Sequence, residues 1–197
     1  MSDPPSDRPL EASPPRAKLP SDYDTALGIF VRKYAEIEAM TLTAVRVVLR
    51  MPPSLARAVF GSVRVKENTE RVNRALEVLA ADKDASQAIL DMKRDFKRIS
   101  DQLGLITSTR NDIMHNGAMQ HHEGEWVTSK SHVSSKKPSE FKTTPTILHN
   151  MTQDLGDMFT IYFHRFQIAE GQHGIPDTYA QVSARPWRYK RESPAGL

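Results

Sequence analysis

The sequence predicts a mainly α fold, a bundle of about four to five helices with a short β-hairpin after the helix that covers residues 89 to 113. Three observations predict it. Apolar residues recur at three- and four-residue steps through most of residues 21 to 171. Pro52-Pro53, Gly61 and Asn116-Gly117 punctuate the periodic segments at helix-like intervals. After Gly117 the helical period breaks, and two short segments flank Glu123-Gly124, a two-residue turn candidate.

Residues 1 to 20 hold six of the thirteen prolines among Ser, Asp and Arg, so they can neither bury apolar area nor sustain a helical ladder. They are expected to be a disordered Pro-rich tail. Ser21 or Asp22 then caps a first helix whose stripe is Tyr23, Leu27, Phe30, Tyr34, Ile37, Thr41, Val45 and Val48, ended by Pro52-Pro53. A short amphipathic turn runs from Ser54 to Phe60 and stops at Gly61, and Ser62 starts a helix carrying Val65, Val72, Leu76 and Leu79.

The most regular segment follows. Ile89, Met92, Phe96, Ile99, Leu103, Ile106, Arg110 and Ile113 form a heptad-like stripe with one arginine in it, and Asn116-Gly117 supplies a left-handed C-cap just past His115. Ala118 to His122 and Glu125 to Ser129 are the arms of the expected hairpin, and Ser129 to Thr143 is an exposed loop or the hairpin's outer part. Thr144-Pro145 opens the last helix, through Leu148, Met151, Leu155, Met158, Tyr162 and Phe166 to about Gly171. The chain thus divides into the tail 1–20, a helical domain 21–171 and an irregular basic C-terminal tail 172–197.

Composition narrows the chemistry. A chain of 197 residues suits one domain, and no run of about 18 apolar residues or apolar leader stands in it, so the expectation is a cytoplasmic protein with no membrane partner. Without cysteine there is no disulfide framework, thiolate nucleophile or Cys-ligated zinc. Lys plus Arg exceed Asp plus Glu by 27 to 24, too little to announce a nucleic-acid binder. Two segments carry the local excess: Lys130, Lys136, Lys137 and Lys142 against Glu140, and Arg185, Arg188, Lys190 and Arg191 at the C-terminus. Each has an ordinary reading as solvated surface.

An arginine on an apolar stripe must find an anion, a carbonyl cluster or an open cleft, because an unpaired buried charge costs several kcal/mol. Asn111 and His115 are four residues apart, so on a helix they lie one above the other on a single face next to Arg110. The segment Arg110-Asn111-Asp112-Ile113-Met114-His115 resembles the motif of the HEPN superfamily, an Arg, a polar residue and a following His near the end of a core helix. The long first helix with Tyr34-Ala35-Glu36-Ile37-Glu38, the hairpin after the motif and the closing helix also resemble that family over roughly residues 22 to 170.

The resemblance implies a HEPN-like bundle and a metal-independent endoribonuclease that needs no cofactor and acts as a homodimer, with RNA as substrate. A toxin or defence effector with an antitoxin partner is the context it suggests. His115 would take the proton from a ribose 2′-hydroxyl, Arg110 would stabilise the phosphorane and Asn111 would orient the phosphate or the imidazole, with Glu38 and Asp112 in support. About 140° separates Arg110 from His115 around an ideal helix, which with the stripe of residues 89 to 113 motivates a dimer sharing its sites.

Ordinary alternatives stand beside each point. Arg110 could pair with a carboxylate such as Glu38, and His115 could answer the helix dipole. The domain could be a non-catalytic HEPN-like dimer that binds a partner protein, a nucleotide or RNA, or a purely structural helical domain with Arg110 closed in a salt bridge. His115, His121 and His122 lack an acidic companion at ligand spacing, so no metal site is expected. Trp187-Arg188-Tyr189-Lys190-Arg191 mixes aromatic and basic residues as single-strand binders do, or is an ordinary basic tail.

Overall fold

In the computed structural model, residues 22–117, 119–120, 126–130, 139–167 and 176–191 are described. The expected tail 1–20, the Ser21 cap, the Glu123-Gly124 turn, His121, His122 and residues 131–138 of the Lys-rich stretch lie outside them. Within them the protein is mainly helical, a bundle of α1 (Asp22–Val48), α2 (Pro53–Phe60), α3 (Val65–Ala80), α4 (Gln87–Asn116), α5 (Pro145–Tyr162) and α6 (Pro176–Ser183). A π-helical turn, Phe163–Gln167, continues α5.

α1 packs chiefly on α5 and α3, α4 lies against α3 and α5, and α6 rests on α5. The periodic residues explain this arrangement. Phe30, Tyr34, Ile37 and Val45 of α1, Val72 and Leu76 of α3, Phe96, Ile99, Leu103, Ile106 and Ile113 of α4, and Leu148, Met151, Leu155 and Met158 of α5 share one core. Burying a side chain of this size stabilises by about 1.5–3 kcal/mol. At the centre Phe96 meets Tyr162 and Phe166 edge-on, with ring centroids 5.8 Å apart in each pair.

The α4 stripe is therefore spent inside the protomer. Its buried members face α1, α3 and α5, so residues 89 to 113 are not a free seam for a second copy, contrary to the use the sequence suggested. The large apolar side chains that α4 does expose are Leu90, Leu105 and Met114.

α4 ends where Asn116-Gly117 predicts. Gly117 adopts φ 68° and ψ 178°, and its N–H reaches the Ile113 carbonyl at 2.9 Å. That backbone region is essentially reserved for glycine. Beyond it, β1 (Met119–Gln120), β2 (Trp126–Lys130) and β3 (Ser139–Lys142) form an antiparallel sheet in that order, with Met119 opposite Val127 and Thr128 opposite Phe141. The buried Thr128 and Thr143 hydroxyls bond at 2.8 Å beneath it. Thr144 then caps α5, its hydroxyl accepting the Ile147 N–H at 3.2 Å, with Pro145 in the first turn.

Two expectations need correction. α3 starts at Val65 after Arg64, with no side-chain cap, and not at Ser62; Leu79 near its end is exposed. The segment after 171 is not simply an irregular tail, since α6 forms there and Val182 and Tyr189 enter the core. The cause is a buried polar junction that no periodicity announces. Asp95 of α4 pairs with Arg165 at 2.6 Å and accepts the Tyr179 hydroxyl of α6 at 2.5 Å.

Candidate functional site

Arg110 lies near the C-terminal end of α4 and is half-buried rather than enclosed. Its guanidinium carbon sits 5.4 Å from the centre of the Tyr34 ring, a cation–π arrangement, and its Nη1 donates to the Asn111 side-chain oxygen at 3.1 Å. Among the described residues it makes no ion pair. Arg110 thus resolves its position on an apolar stripe by leaving the core over an aromatic face at the open end of the helix, not by closing on a carboxylate.

Tyr34 is the residue that periodicity hides. It reads as one more core aromatic of α1, and it is buried. Its hydroxyl bonds Thr107 at 2.9 Å, which fixes the ring beneath Arg110. Burial pushes the Tyr34 phenol above its ordinary value, Thr107 and Arg110 pull it back, and Glu38 adds to the rise. Glu38 is exposed on α1 and close enough to act on Tyr34, yet it forms no ion pair with Arg110.

His115 is exposed one turn beyond Asn111, and the two share one side of α4. Arg110 projects about 140° away around the helix, as its spacing requires. The structure therefore brings Arg110, Asn111 and Tyr34 together and leaves His115 on a neighbouring surface. Asp112 turns to a third direction. Its carboxylate takes Arg191 of the C-terminal segment at 3.2 Å, and its backbone carbonyl accepts the Asn116 side chain at 2.9 Å.

A groove of about 490 Å³ runs between α3 and α4 and opens at the motif. Leu103 and Gly104 floor it, Val65 and Thr69 line the α3 side, and Ser108 and Asn111 form its end next to His115. Met114, half exposed, follows Arg110 by one turn and adds apolar surface on the Arg110 side. No group of three or more His, Asp or Glu side chains gathers as a metal centre among the described residues, and no helix there is long and apolar enough to cross a membrane.

The C-terminal segment 184–191 is strapped across α4 and α5. Arg98 donates to the Val182 and Ser183 carbonyls and to Arg185, and its guanidinium stacks on Trp187 at 4.3 Å. Asp154, fully buried, receives the backbone N–H groups of Arg188 and Tyr189, each at 2.9 Å, and the Gln102 amide at 3.0 Å. The Tyr189 hydroxyl meets Thr109 at 2.6 Å. Arg191 then reaches Ser108 at 2.7 Å as well as Asp112.

No protein-family model, curated protein or solved structure matches this chain.

Proposed function

We propose that the protein is a metal-independent endoribonuclease of the HEPN type, acting as a homodimer in which Arg110 of one protomer and His115 of the other serve one RNA phosphate. The observation that carries this reading is the state of Arg110. It is half-exposed, held in place by Tyr34 and Asn111, and without a carboxylate partner among the described residues. One guanidinium N–H is used on Asn111, and the planar fork retains other donors for a phosphate oxygen. Glu38 and Arg110 both act on Tyr34, and the two do not close on each other as an ion pair.

The chemistry balances without a metal. His115 removes the proton of a ribose 2′-hydroxyl, whose oxygen attacks the adjacent phosphorus. Arg110 stabilises the charge on the phosphorane oxygens, and the 5′-oxygen leaves with a proton from water, giving a 2′,3′-cyclic phosphate and a 5′-hydroxyl. Asn111, which accepts the Arg110 Nη1–H, would orient the phosphate or the imidazole. Since Arg110 and His115 diverge within a protomer, a two-fold axis passing near the exposed Met114 would pair the two motifs. A toxin or defence effector, cytoplasmic and restrained by an antitoxin protein, is the cellular setting that suits such an enzyme.

Incubation of purified protein with a long single-stranded RNA in excess EDTA, followed by end-group analysis, tests this. Cleavage leaving cyclic phosphate ends, and lost in both Arg110→Ala and His115→Ala, is the expected result. Folded protein that binds RNA without cutting it would mean a non-catalytic binding module, and a magnesium requirement with 3′-hydroxyl ends would mean a different mechanism.

A further inference from the structure

Charge along the chain is least balanced where α1 gives way to α2 and α3. Residues 39 to 66 contain no Asp or Glu, yet they carry Arg46, Arg50, Arg57, Arg64 and Lys66. Arg57 and Arg64 are exposed, and among the described residues neither forms an ion pair. Arg94, Arg165, Arg188 and Arg191, by contrast, each meet a carboxylate.

Arg57 and Arg64 stand on either side of the turn between α2 and α3, and that turn is firmly built. The amide of the buried Asn68 donates to the Phe60 and Val63 carbonyls at 3.2 and 3.4 Å, and the Gly61 N–H returns to the Arg57 carbonyl at 2.9 Å. Arg64 immediately precedes Val65 and Lys66 follows it, so two cations sit where the dipole of α3 is already positive. Their placement costs stability, and Glu67 is the one acid of that turn. A bound polyanion would offset the cost.

α3 and α4 run antiparallel, which brings this corner to the motif. Asn73 reaches Ser100 at 2.8 Å at one end of the pair, and at the other Val65 and Lys66 share the 490 Å³ groove with Ser108 and Asn111. Inside the groove Lys66 is offset by Glu70, so the lining suits the uncharged parts of a nucleotide. Ser100 and Ser108 each accept one hydrogen bond, from Asn73 and from Arg191, and each keeps an O–H to donate. Between them lies the floor of Leu103 and Gly104. Hydroxyl donors over an apolar floor match sugar and base edges, and the unpaired arginines beyond match phosphates.

We infer that Arg57 and Arg64 take backbone phosphates of a single-stranded RNA whose next nucleotides lie along the α3–α4 groove and reach Asn111 and His115 at its end. RNA as the polymer rests on the ribonuclease reading, whereas the demand for a polyanion rests on the unpaired arginines. The exposed Leu55 and Val59 of α2 make an anionic membrane surface the rival occupant, and the hydroxyl-lined groove next to the corner favours the nucleic acid.

Two variants of the full chain separate the parts. Arg57→Gln/Arg64→Gln removes exposed charge, and its denaturation midpoint should be unchanged or slightly raised. Gly104→Leu fills the groove from mid-helix, where an added Cβ meets nothing within 4 Å. The probe is a labelled, 2′-O-methylated single-stranded oligonucleotide, which cannot undergo the proposed cleavage. Anisotropy across a salt series should show the arginine variant binding about tenfold more weakly, with the log–log salt slope reduced by about 0.7 for each phosphate no longer neutralised. Gly104→Leu should weaken binding with the slope unchanged. On cleavable RNA the arginine variant should raise KM and leave kcat nearly unchanged.

Equal affinity and slope in wild type and the arginine variant would overturn the corner while leaving the nuclease reading intact. Undiminished binding by Gly104→Leu would overturn the path along the groove. The expected losses in a protein that cuts no RNA would support the track and sink the nuclease. Vesicles of phosphatidylcholine with phosphatidylserine form the last arm. If they bind the wild type and not the arginine variant, while the oligonucleotide binds neither, the corner serves a membrane surface and the RNA assignment is wrong.

Discussion

The buried carboxylate of Asp154 in α5 accepts the backbone N–H of Tyr189 at 2.9 Å, and so fixes the C-terminal strap from within the core. The Arg188 N–H and the Gln102 amide also donate to it, and the Arg188 guanidinium lies 3.6 Å away. Asp154→Asn keeps the shape but turns an NH₂ group toward donors. The substitution should cost about 3 kcal/mol, because buried donors lose a charged acceptor. Chemical denaturation measures the loss, and limited trypsin digestion should cut at Arg188, Lys190 and Arg191 well before the core. An unchanged cleavage pattern in the destabilised variant would show that the strap is held by other interactions.

Gly117 carries the end of the motif helix in a conformation that side chains avoid, φ 68° with ψ 178°. A Cβ there meets nothing within 4 Å, so the cost of Gly117→Ala is backbone strain and not a clash. Roughly 1–3 kcal/mol of destabilisation is expected, and the last turn, which bears His115, should rearrange to relieve it. Any RNA cleavage should fall more than global unfolding explains, when rates are compared at a temperature where the variant remains folded. A variant as stable and as active as the parent would contradict this account of the helix end.

His164, in the π-helical turn, stacks on Tyr179 with centroids 4.0 Å apart, and its Nδ1 is buried with no hydrogen-bond partner among the described residues. Burial lowers its pKa in the folded state, Arg165 lowers it further, and Asp95 opposes them. With an unfolded value of about 6.5, the unfolded chain takes the proton first as pH falls. Stability from this group is therefore intact above about pH 6.5, declines below it, and levels off beneath the folded-state pKa. Denaturation midpoints from pH 7.5 down to 5 should show a smaller decline for His164→Phe, which keeps a ring on Tyr179. Parallel curves for the two proteins would assign the acid sensitivity elsewhere.

What the sequence disclosed was what period and punctuation can encode. Phe96, Ile99, Leu103 and Ile106 follow a core stripe, and Thr144-Pro145 caps a helix through a local hydrogen bond, so both were readable at short range. Gln102, Thr109 and Asp154 break the rule that polar residues face water, and their partner Tyr189 is 80 or more residues from the α4 pair. Such a junction leaves no periodic trace, which is why the strap looked like tail. At the site, Arg110, Asn111 and His115 announced themselves by spacing, while Tyr34, which shapes the Arg110 position, was indistinguishable from a core residue until α1 and α4 were seen together.

Complementation between two inactive proteins bears most directly on the shared-site proposal. Arg110 and His115 diverge by about 140° on α4, and each projects from the surface with no structural partner beyond Tyr34 and Asn111 among the described residues. Arg110→Ala and His115→Ala should each change stability by less than about 1 kcal/mol, in keeping with surface substitutions, and each should abolish cleavage as a homodimer. In a mixed dimer, one protomer retains His115 and the other Arg110. One complete site is then rebuilt while the second lacks both groups, so activity should return to about half the wild-type value per mixed dimer, if the two sites work independently. Differently tagged proteins, co-refolded and doubly purified, give that species cleanly, and circular dichroism confirms that both partners are folded. Recovery of cleavage supports a site shared across the two-fold axis. Confirmed mixed dimers that remain as inactive as the parents would mean that Arg110 and His115 act within one protomer or that all four groups are required, and the composite-site model would have to be abandoned.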